Sequence, residues 1–296
     1  MRVAILTSGG DCPGMNACIS KLIQQCTKNN MDCFVVRRGF VGLIENDVQP
    51  AKYVDYENIS HLGGSVIKCY RSSYFTTDEG FEKALKTVKA NKFDYVVAIG
   101  GNGTLRGCQR LANNGVSVMF LPATIDNDLF YTEKSLGFDS ALASCTEAID
   151  KIKETMQSAD RGAIVEVMGR DCADLANNSA QATDADFVVS QSTPYSYNDL
   201  RNAVEKKTNG FLIVVQENIL NVFELAKELQ NDLDVEVRAD ILGYLQRGGS
   251  PSVFDRMYAN KLSAECVAHM ANGGNSTAFG IACNEIIKLP LTLADI

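Results

Sequence analysis

The segment VAILTSGGDCPGMN, residues 3–16, decides the fold prediction. It starts as a continuous apolar run and breaks at Gly9 and Gly10, which is typical of a strand buried on both faces of a parallel sheet. Consecutive glycines allow a tight turn in which the backbone comes close to a phosphate, and a following helix would point its positive end at that anion. The segment therefore predicts a strand, a phosphate-binding turn and a helix. A plain strand-to-helix turn without a ligand is the alternative.

The same pattern recurs along the chain, because apolar runs alternate with helix-like stretches. This alternation predicts a doubly wound α/β architecture. Ligands then bind beyond the carboxyl ends of the strands. A chain of 296 residues is expected to form two lobes. Further apolar runs occupy residues 33–37, 95–100, 116–121, 163–168, 187–190, 211–216 and 279–283, and helical stretches occupy 80–91, 140–156 and 221–229.

Composition restricts the possible partners and location. The net charge of −8 argues against a nucleic-acid surface or an anionic membrane as a partner. No apolar run reaches the ~18 residues that a bilayer requires. The first apolar run is too short for a signal peptide. The ten cysteines are scattered, with neither a CxxC pair nor zinc spacing. We therefore expect a cytoplasmic protein with reduced thiols.

Two further turns carry residues suited to chemistry. Residues 100–104, GGNGT, follow an apolar run and open a helix, as a second phosphate-binding turn would. Residues 122–128, PATIDND, place Asp126 and Asp128 two residues apart beyond another run. One carboxylate can accept the proton of an attacking hydroxyl, and a second can serve Mg²⁺. The alternative is an exposed acidic loop that caps a helix.

Several arginines lie near strand ends or glycines, where they could bind phosphate. Guanidinium groups match phosphate oxygens bidentately. Glu217 ends another run and could accept hydrogen bonds from sugar hydroxyls. For each of these residues a solvated surface position is the alternative. The arginines are Arg161, Arg170, Arg238 and Arg247.

Taken together, these motifs resemble the phosphofructokinase family in its bacterial, ATP-dependent form. The resemblance implies two similar three-layer α/β/α lobes with mostly parallel sheets and an active site in the cleft between them. It predicts a nucleotide-binding lobe at residues 1–137 and 246–290, and a fructose 6-phosphate-binding lobe at 138–245 with a short remnant at 291–296. The supporting motifs span nearly the whole chain in the family's order: residues 7–16 (TSGGDCPGMN), 100–104 (GGNGT), 122–128 (PATIDND), 166–170 (EVMGR) and 245–251 (LQRGGSP).

The resemblance also implies a reaction and a set of site residues. The reaction is transfer of the terminal phosphoryl group of ATP to the 1-hydroxyl of fructose 6-phosphate, a step of glycolysis, with Mg²⁺ as cofactor. Asp126 would be the base, and Thr124, Arg170 and Gly10 would complete the catalytic set. The implied nucleotide residues are Gly10, Arg71, Gly101, Asn102, Gly103 and Thr104. The implied sugar-phosphate residues are Thr124, Asp126, Asp128, Arg161, Met168, Gly169, Arg170, Glu217, Arg238, Tyr244 and Arg247; the implied metal ligands are Asn102 and Asp128.

The resemblance further implies self-association and a choice of donor. The family usually forms tetramers, so we expect a homotetramer in which Arg161 and Arg238 complete a neighbour's sugar site. Relatives that use pyrophosphate typically carry aspartate at the position of Gly103 and lysine at that of Ala123. The small residues here favour ATP.

The sequence departs from the family pattern at several positions. Asn102 stands where the family has an aspartate for Mg²⁺, and Tyr244 replaces a histidine beside the sugar phosphate. Phe40 replaces a tyrosine near the adenine. Ser20 and Gln24 replace effector-site arginines, which predicts weak or absent allosteric control. Asn102 and Tyr244 motivate a second hypothesis, a non-catalytic or weakly active sugar-phosphate-binding subunit. A third hypothesis is a kinase for another acceptor, such as tagatose 6-phosphate or NAD.

Overall fold

The computed structural model describes residues 1–294 and divides into two compact units. The first unit comprises Met1–Thr124, Leu129–Asp139 and the residues from Arg247 onward. The second unit comprises Ile125–Asp128 and Ser140–Gln246. Within residues 1–294, no helix is both long enough and apolar enough to cross a membrane.

Strands and helices alternate along most of the chain, as the apolar runs predict. The strands are β1 (Arg2–Thr7), β2 (Asp32–Val36), β3 (Val48–Pro50), β4 (Tyr95–Gly100), β5 (Val118–Pro122), β6 (Gly162–Val167), β7 (Phe187–Val189), β8 (Phe211–Gln216), β9 (Val237–Ile241), β10 (Thr277–Ala282) and β11 (Glu285–Pro290). The α-helices are α1 (Met15–Lys28), α2 (Phe40–Glu45), α3 (Asp78–Ala90), α4 (Asn102–Asn113), α5 (Phe138–Gln157), α6 (Asp174–Ala182), α7 (Tyr197–Val204), α8 (Val222–Leu233) and α9 (Val253–Ala271).

The sheet of the first unit contains seven strands among the described residues, in the order β11-β10-β5-β4-β1-β2-β3. The inner strands pair in parallel, whereas β3 and β11 pair antiparallel at the two edges. Ala4 and Leu6 of β1 belong to a core that also contains buried residues of α2, α3 and α4. Val3 and Ile5 are equally buried and alternate with them, so both faces of this strand are covered.

The sheet of the second unit is parallel throughout, in the order β7-β8-β6-β9. Its core includes Ile164 of β6, Ile213 of β8 and Leu225 of α8. The strand ends that carry the predicted site residues 168–170 and Glu217 are the carboxyl ends of β6 and β8. The predicted α/β class with mostly parallel sheets is confirmed.

The last described residues differ from their predicted placement in the second lobe. Leu291–Leu293 form a short 3₁₀ turn that belongs to the first unit. Leu291 is buried in the core of that unit, and the Gln109 side chain donates to its carbonyl at 3.2 Å. This apolar anchor holds residues 291–294 against the first unit, and residues 295–296 of the predicted remnant lie outside the described part of the chain.

Candidate functional site

The first glycine turn joins β1 to the segment before α1. Gly9 has φ +89°, in the left-handed region that favours glycine. Its N–H donates to the Tyr70 carbonyl at 3.3 Å, which fixes the turn against the loop that carries Arg71. A Cβ at Gly10 would come within 2.5 Å of Nη2 of Arg247, so a side chain at this position would displace that guanidinium.

The second glycine turn joins β4 to α4 and packs directly on the first. The buried Thr104 hydroxyl donates to the Ser8 carbonyl at 3.1 Å. A Cβ at Gly100 would come within 2.6 Å of the same carbonyl oxygen. Thr104 was predicted to bind the nucleotide; the structure shows that its hydroxyl also holds the two turns together.

A cavity of about 600 Å³, here called the first-unit cavity, opens beside these turns. Gly9 and Gly103 form part of its wall, and Arg71 contributes a cation. Phe40 and Phe75 stack with ring centroids 4.1 Å apart and planes at 10°, which supplies an aromatic surface. This volume and mixed lining are typical of a small-molecule site. The cavity is lined by Arg71, Gly103 and Thr104 of the predicted nucleotide residues; Gly10, Gly101 and Asn102 lie in the two turns.

Three residues of α4 that line the cavity were not predicted: Arg106, Gly107 and Arg110. They follow the predicted Gly103 at helical spacing, and all four line the cavity. A Cβ at Gly107 would come within 2.5 Å of the Phe40 ring, so glycine lets that ring approach the helix. The i, i+3, i+4, i+7 spacing after the glycine turn was the signal that could have identified these residues.

Arg247, predicted on the sugar-phosphate side, contacts the first glycine turn. Its Nη2 lies 2.6 Å from Oδ1 of Asp11, and its Nε donates to the Asp11 carbonyl at 3.2 Å. The side chain is 18% exposed. Thr124, the last residue of its segment of the first unit, donates its N–H to the Leu136 carbonyl at 3.0 Å. The two contacts with Asp11 give Arg247 a structural role in shaping the first glycine turn.

In the second unit, the loop after β6 places Arg170 in an unusual backbone conformation. Arg170 has φ +51° and follows Gly169, which has φ +133°. The Arg170 N–H donates to Oε1 of Glu217 at 2.9 Å. The guanidinium is 60% exposed, with Nε 3.7 Å from Oδ2 of Asp171. Glu217 therefore holds the Arg170 backbone with one oxygen, a role that the sequence did not predict.

A smaller pocket of about 230 Å³, here called the second-unit pocket, collects three predicted sugar residues. Met168, Glu217 and the largely exposed Tyr244 line it. Glu166 also lines it, and burial together with the nearby Glu217 charge raises the pKa of the Glu166 carboxyl. Gln246 is fully buried and accepts from the Met168 N–H at 2.9 Å. Glu166 and Gln246 belong to the motifs at residues 166–170 and 245–251, but neither was predicted to be a site residue.

The carboxylate turn lies in the Ile125–Asp128 segment of the second unit. Asp128 is 8% exposed, and Asp126 is half-buried. Asn127, at φ +53°, donates to Oδ2 of Asp174 at 2.8 Å, which fixes the turn on α6. Within residues 1–294, no group of three or more His, Cys, Asp or Glu side chains could hold a metal. Mg²⁺ commonly uses one or two carboxylates with substrate phosphates and water, so the Asp128 carboxylate is a ligand of the type that it prefers.

Arg161 and Arg238 lie at the amino ends of the second-unit strands, whereas the second-unit pocket lies at their carboxyl ends. Arg161 precedes β6, and Arg238 is near the start of β9. Both pair with Glu236: Nε of Arg161 lies 2.6 Å from Oε2, and Arg238 contacts the other oxygen. Hydrogen bonding from Arg238 lowers the pKa of the Glu236 carboxyl. The length of β6, ~20 Å for a six-residue strand, separates Arg161 from residues 168–170, and Arg238 pairs with Ala163 near the start of the same strand.

The chain is therefore an α/β protein with two glycine turns at strand ends of its first unit and a carboxylate turn in its second unit. The phosphofructokinase family model matches residues 2–270, and the chain belongs to this family. The resemblance stated from the motifs is therefore confirmed.

Known relatives agree with this membership. The ATP-dependent 6-phosphofructokinase of Clostridium acetobutylicum is 38% identical over 96% of this chain and 91% of its own length. Among solved structures, the phosphofructokinase of Saccharomyces cerevisiae is 28% identical with a TM-score of 0.88, and that of Pichia pastoris, in the T-state, is 27% identical with a TM-score of 0.92. Each covers 99% of this chain, which spans 45% and 35% of those two chains.

Proposed function

We propose that this protein is an ATP-dependent 6-phosphofructokinase that converts fructose 6-phosphate to fructose 1,6-bisphosphate in cytoplasmic glycolysis. The name of the Clostridium acetobutylicum relative supports this reaction. The first-unit cavity suits a nucleotide because it joins glycine turns to cations and an aromatic surface. The second-unit pocket suits a polar sugar because carboxylates and a phenol line it. The names of the relatives favour a catalytic protein over the non-catalytic hypothesis.

The observation that carries the choice of ATP is the open space beside Gly103. A Cβ at this position would meet no atom within 4 Å, and the residue lines the first-unit cavity. Ala123, the other small residue that favours ATP, is buried. A larger side chain at position 103 would fill space that the nucleotide needs beyond its phosphates. Its absence leaves the cavity open to ATP.

Asp126 is the proposed general base of this reaction. Its carboxylate would take the proton of the 1-hydroxyl as the new P–O bond forms, while the bond from the γ-phosphorus to the bridging oxygen breaks and ADP leaves. Arg170, with an exposed guanidinium on a fixed backbone, would stabilise charge on the transferred group. Gly10 and Thr124 complete the catalytic set. Mg²⁺, held through Asn102 and Asp128, would neutralise charge on the donor phosphates.

The proposal includes self-association as a homotetramer. Arg161 and Arg238 lie at the amino ends of the second-unit strands, away from the second-unit pocket, which supports a role toward a neighbour's sugar site. Sedimentation should show an oligomer. Replacing Arg161 with alanine should raise the KM for fructose 6-phosphate while leaving the KM for ATP near that of the wild type.

The deciding experiment is a coupled assay for fructose 1,6-bisphosphate. ATP and pyrophosphate are offered as donors in parallel, at a series of Mg²⁺ concentrations. Fructose 6-phosphate, tagatose 6-phosphate and NAD are compared as acceptors by the release of ADP from ATP, which reports transfer to any of the three. We expect Mg²⁺-dependent turnover with ATP and fructose 6-phosphate. Binding of fructose 6-phosphate without turnover at any Mg²⁺ concentration would replace this proposal with the non-catalytic subunit.

A further inference from the structure

Gln216, the last residue of β8, is a fully buried amide at the end of an apolar strand. A buried amide requires partners for both its N–H and its carbonyl. Its Nε2 donates to the Arg170 carbonyl at 2.8 Å, and its Oε1 accepts from the Gln191 N–H at 2.9 Å. One side chain therefore links the backbone segments that follow β6 and β7.

The backbone N–H and the backbone carbonyl of Arg170 are both hydrogen-bonded. The Arg170 carbonyl accepts from Gln216, while the Arg170 N–H donates to Glu217 at 2.9 Å. Arg170 has φ +51°, a region that residues with a side chain rarely occupy. A conformation of this kind persists when surrounding contacts over-determine it. Consecutive residues of β8 and its extension supply those contacts.

We propose that Gln216 is a positioning residue that fixes the backbone of Arg170 and thereby aims its guanidinium. The inference rests on the proposed function, in which Arg170 stabilises the transferred phosphoryl group. Gln216 is fully buried, so it acts through Arg170 and not by touching a ligand. Its donor and acceptor are both used, so an amide suits this position better than a carboxylate or an apolar side chain of similar length.

Gln216→Met tests the bonds, because methionine keeps the length and removes both hydrogen-bonding groups. We expect kcat to fall about tenfold, in line with loss of the one of these two bonds that reaches Arg170, with the KM for ATP unchanged. In an Arg170→Ala background, the same substitution should lower kcat no further, since Gln216 acts through the missing guanidinium. Additive losses in the double variant would overturn the inference.

Gln216→Glu tests the donor with an isosteric side chain. A protonated carboxyl can donate to the Arg170 carbonyl, whereas a carboxylate cannot. The ratio of variant to wild-type kcat should therefore rise as the pH is lowered. A ratio that does not change with pH would count against the proposed donor bond. The matched control is Gln230→Met, which removes a side-chain acceptor from the Val237 N–H, 3.3 Å away in the same unit.

Hydrogen exchange separates this inference from the proposed function. In Gln216→Met, peptides that cover Arg170 should exchange faster than in the wild type, whereas the Gln230→Met control should leave them unchanged. Unchanged exchange in Gln216→Met overturns the inference whatever the kinetics. If the wild type shows no turnover with any donor, the proposed function fails, and the exchange result still decides whether Gln216 holds Arg170.

Discussion

Replacing Gly103 with aspartate places a carboxylate in the first-unit cavity. A Cβ there would meet nothing within 4 Å, and no positive φ is involved, so the backbone should accept the side chain without strain. The effect should therefore fall on the ligand and not on folding. At a separation of about 5 Å and an effective dielectric of about 20, two like unit charges repel by about 3 kcal/mol. That energy corresponds to an increase in the KM for ATP of about a hundredfold.

The assay is the initial rate of fructose 1,6-bisphosphate formation with ATP varied at saturating fructose 6-phosphate and Mg²⁺. Gly103→Asn is the matched control, because asparagine has nearly the same size without the charge. We expect the asparagine variant to raise the KM for ATP less than the aspartate variant does, and both variants to unfold at the wild-type temperature. An aspartate variant with a wild-type KM for ATP would refute the placement of nucleotide phosphates beside residue 103.

Three further substitutions test separate parts of the proposal. Asp126→Ser should lower kcat by ~10²–10⁴, the usual contribution of a general base, and a turnover close to that of the wild type would remove Asp126 from the mechanism. Asn102→Asp should reduce the Mg²⁺ concentration needed for half-maximal activity; an unchanged Mg²⁺ dependence would show that residue 102 does not serve the metal. Burial raises the pKa of Glu166 above 4.5, so folded-state stability should fall as the pH rises from about 4.5 through the raised pKa. Glu166→Gln should flatten this fall in denaturant unfolding measured between about pH 4.5 and 7, and an identical slope would contradict the assignment.

The fold was largely predictable because buried parallel strands have a strong signal in sequence. The apolar runs of β1, β4 and β8 coincide closely with the observed strands. The strands that were missed are β3, β9 and β11. β3 has three residues and ends in proline, β9 includes Arg238 and Asp240, and β11 is a partly exposed edge strand. At such places pairing with a neighbouring strand decides the structure, and a single segment does not show that pairing.

The sequence predicts candidate site residues by their type and position, but not their hydrogen-bond partners. A motif singled out Thr104, and the end of an apolar run singled out Glu217, yet the bonds of these residues to Ser8 and Arg170 depend on strands that are distant in sequence. The resemblance assigns Arg247 to the sugar phosphate, which stays a prediction, while the contact of its guanidinium with Asp11 is visible only in the structure. Hydrogen-bond partners between separate strand ends follow from tertiary packing, which no local pattern encodes.

The Thr104 hydroxyl donates to the Ser8 carbonyl, and Gly100 packs against the same oxygen, so the two glycine turns are held together. Any side chain at position 100 would displace a backbone carbonyl of the other turn, so neither turn can change shape alone. A side chain at position 100 should thus destabilise the fold, and replacing Thr104 as well would remove its side-chain contact but not the contact with the Ser8 carbonyl.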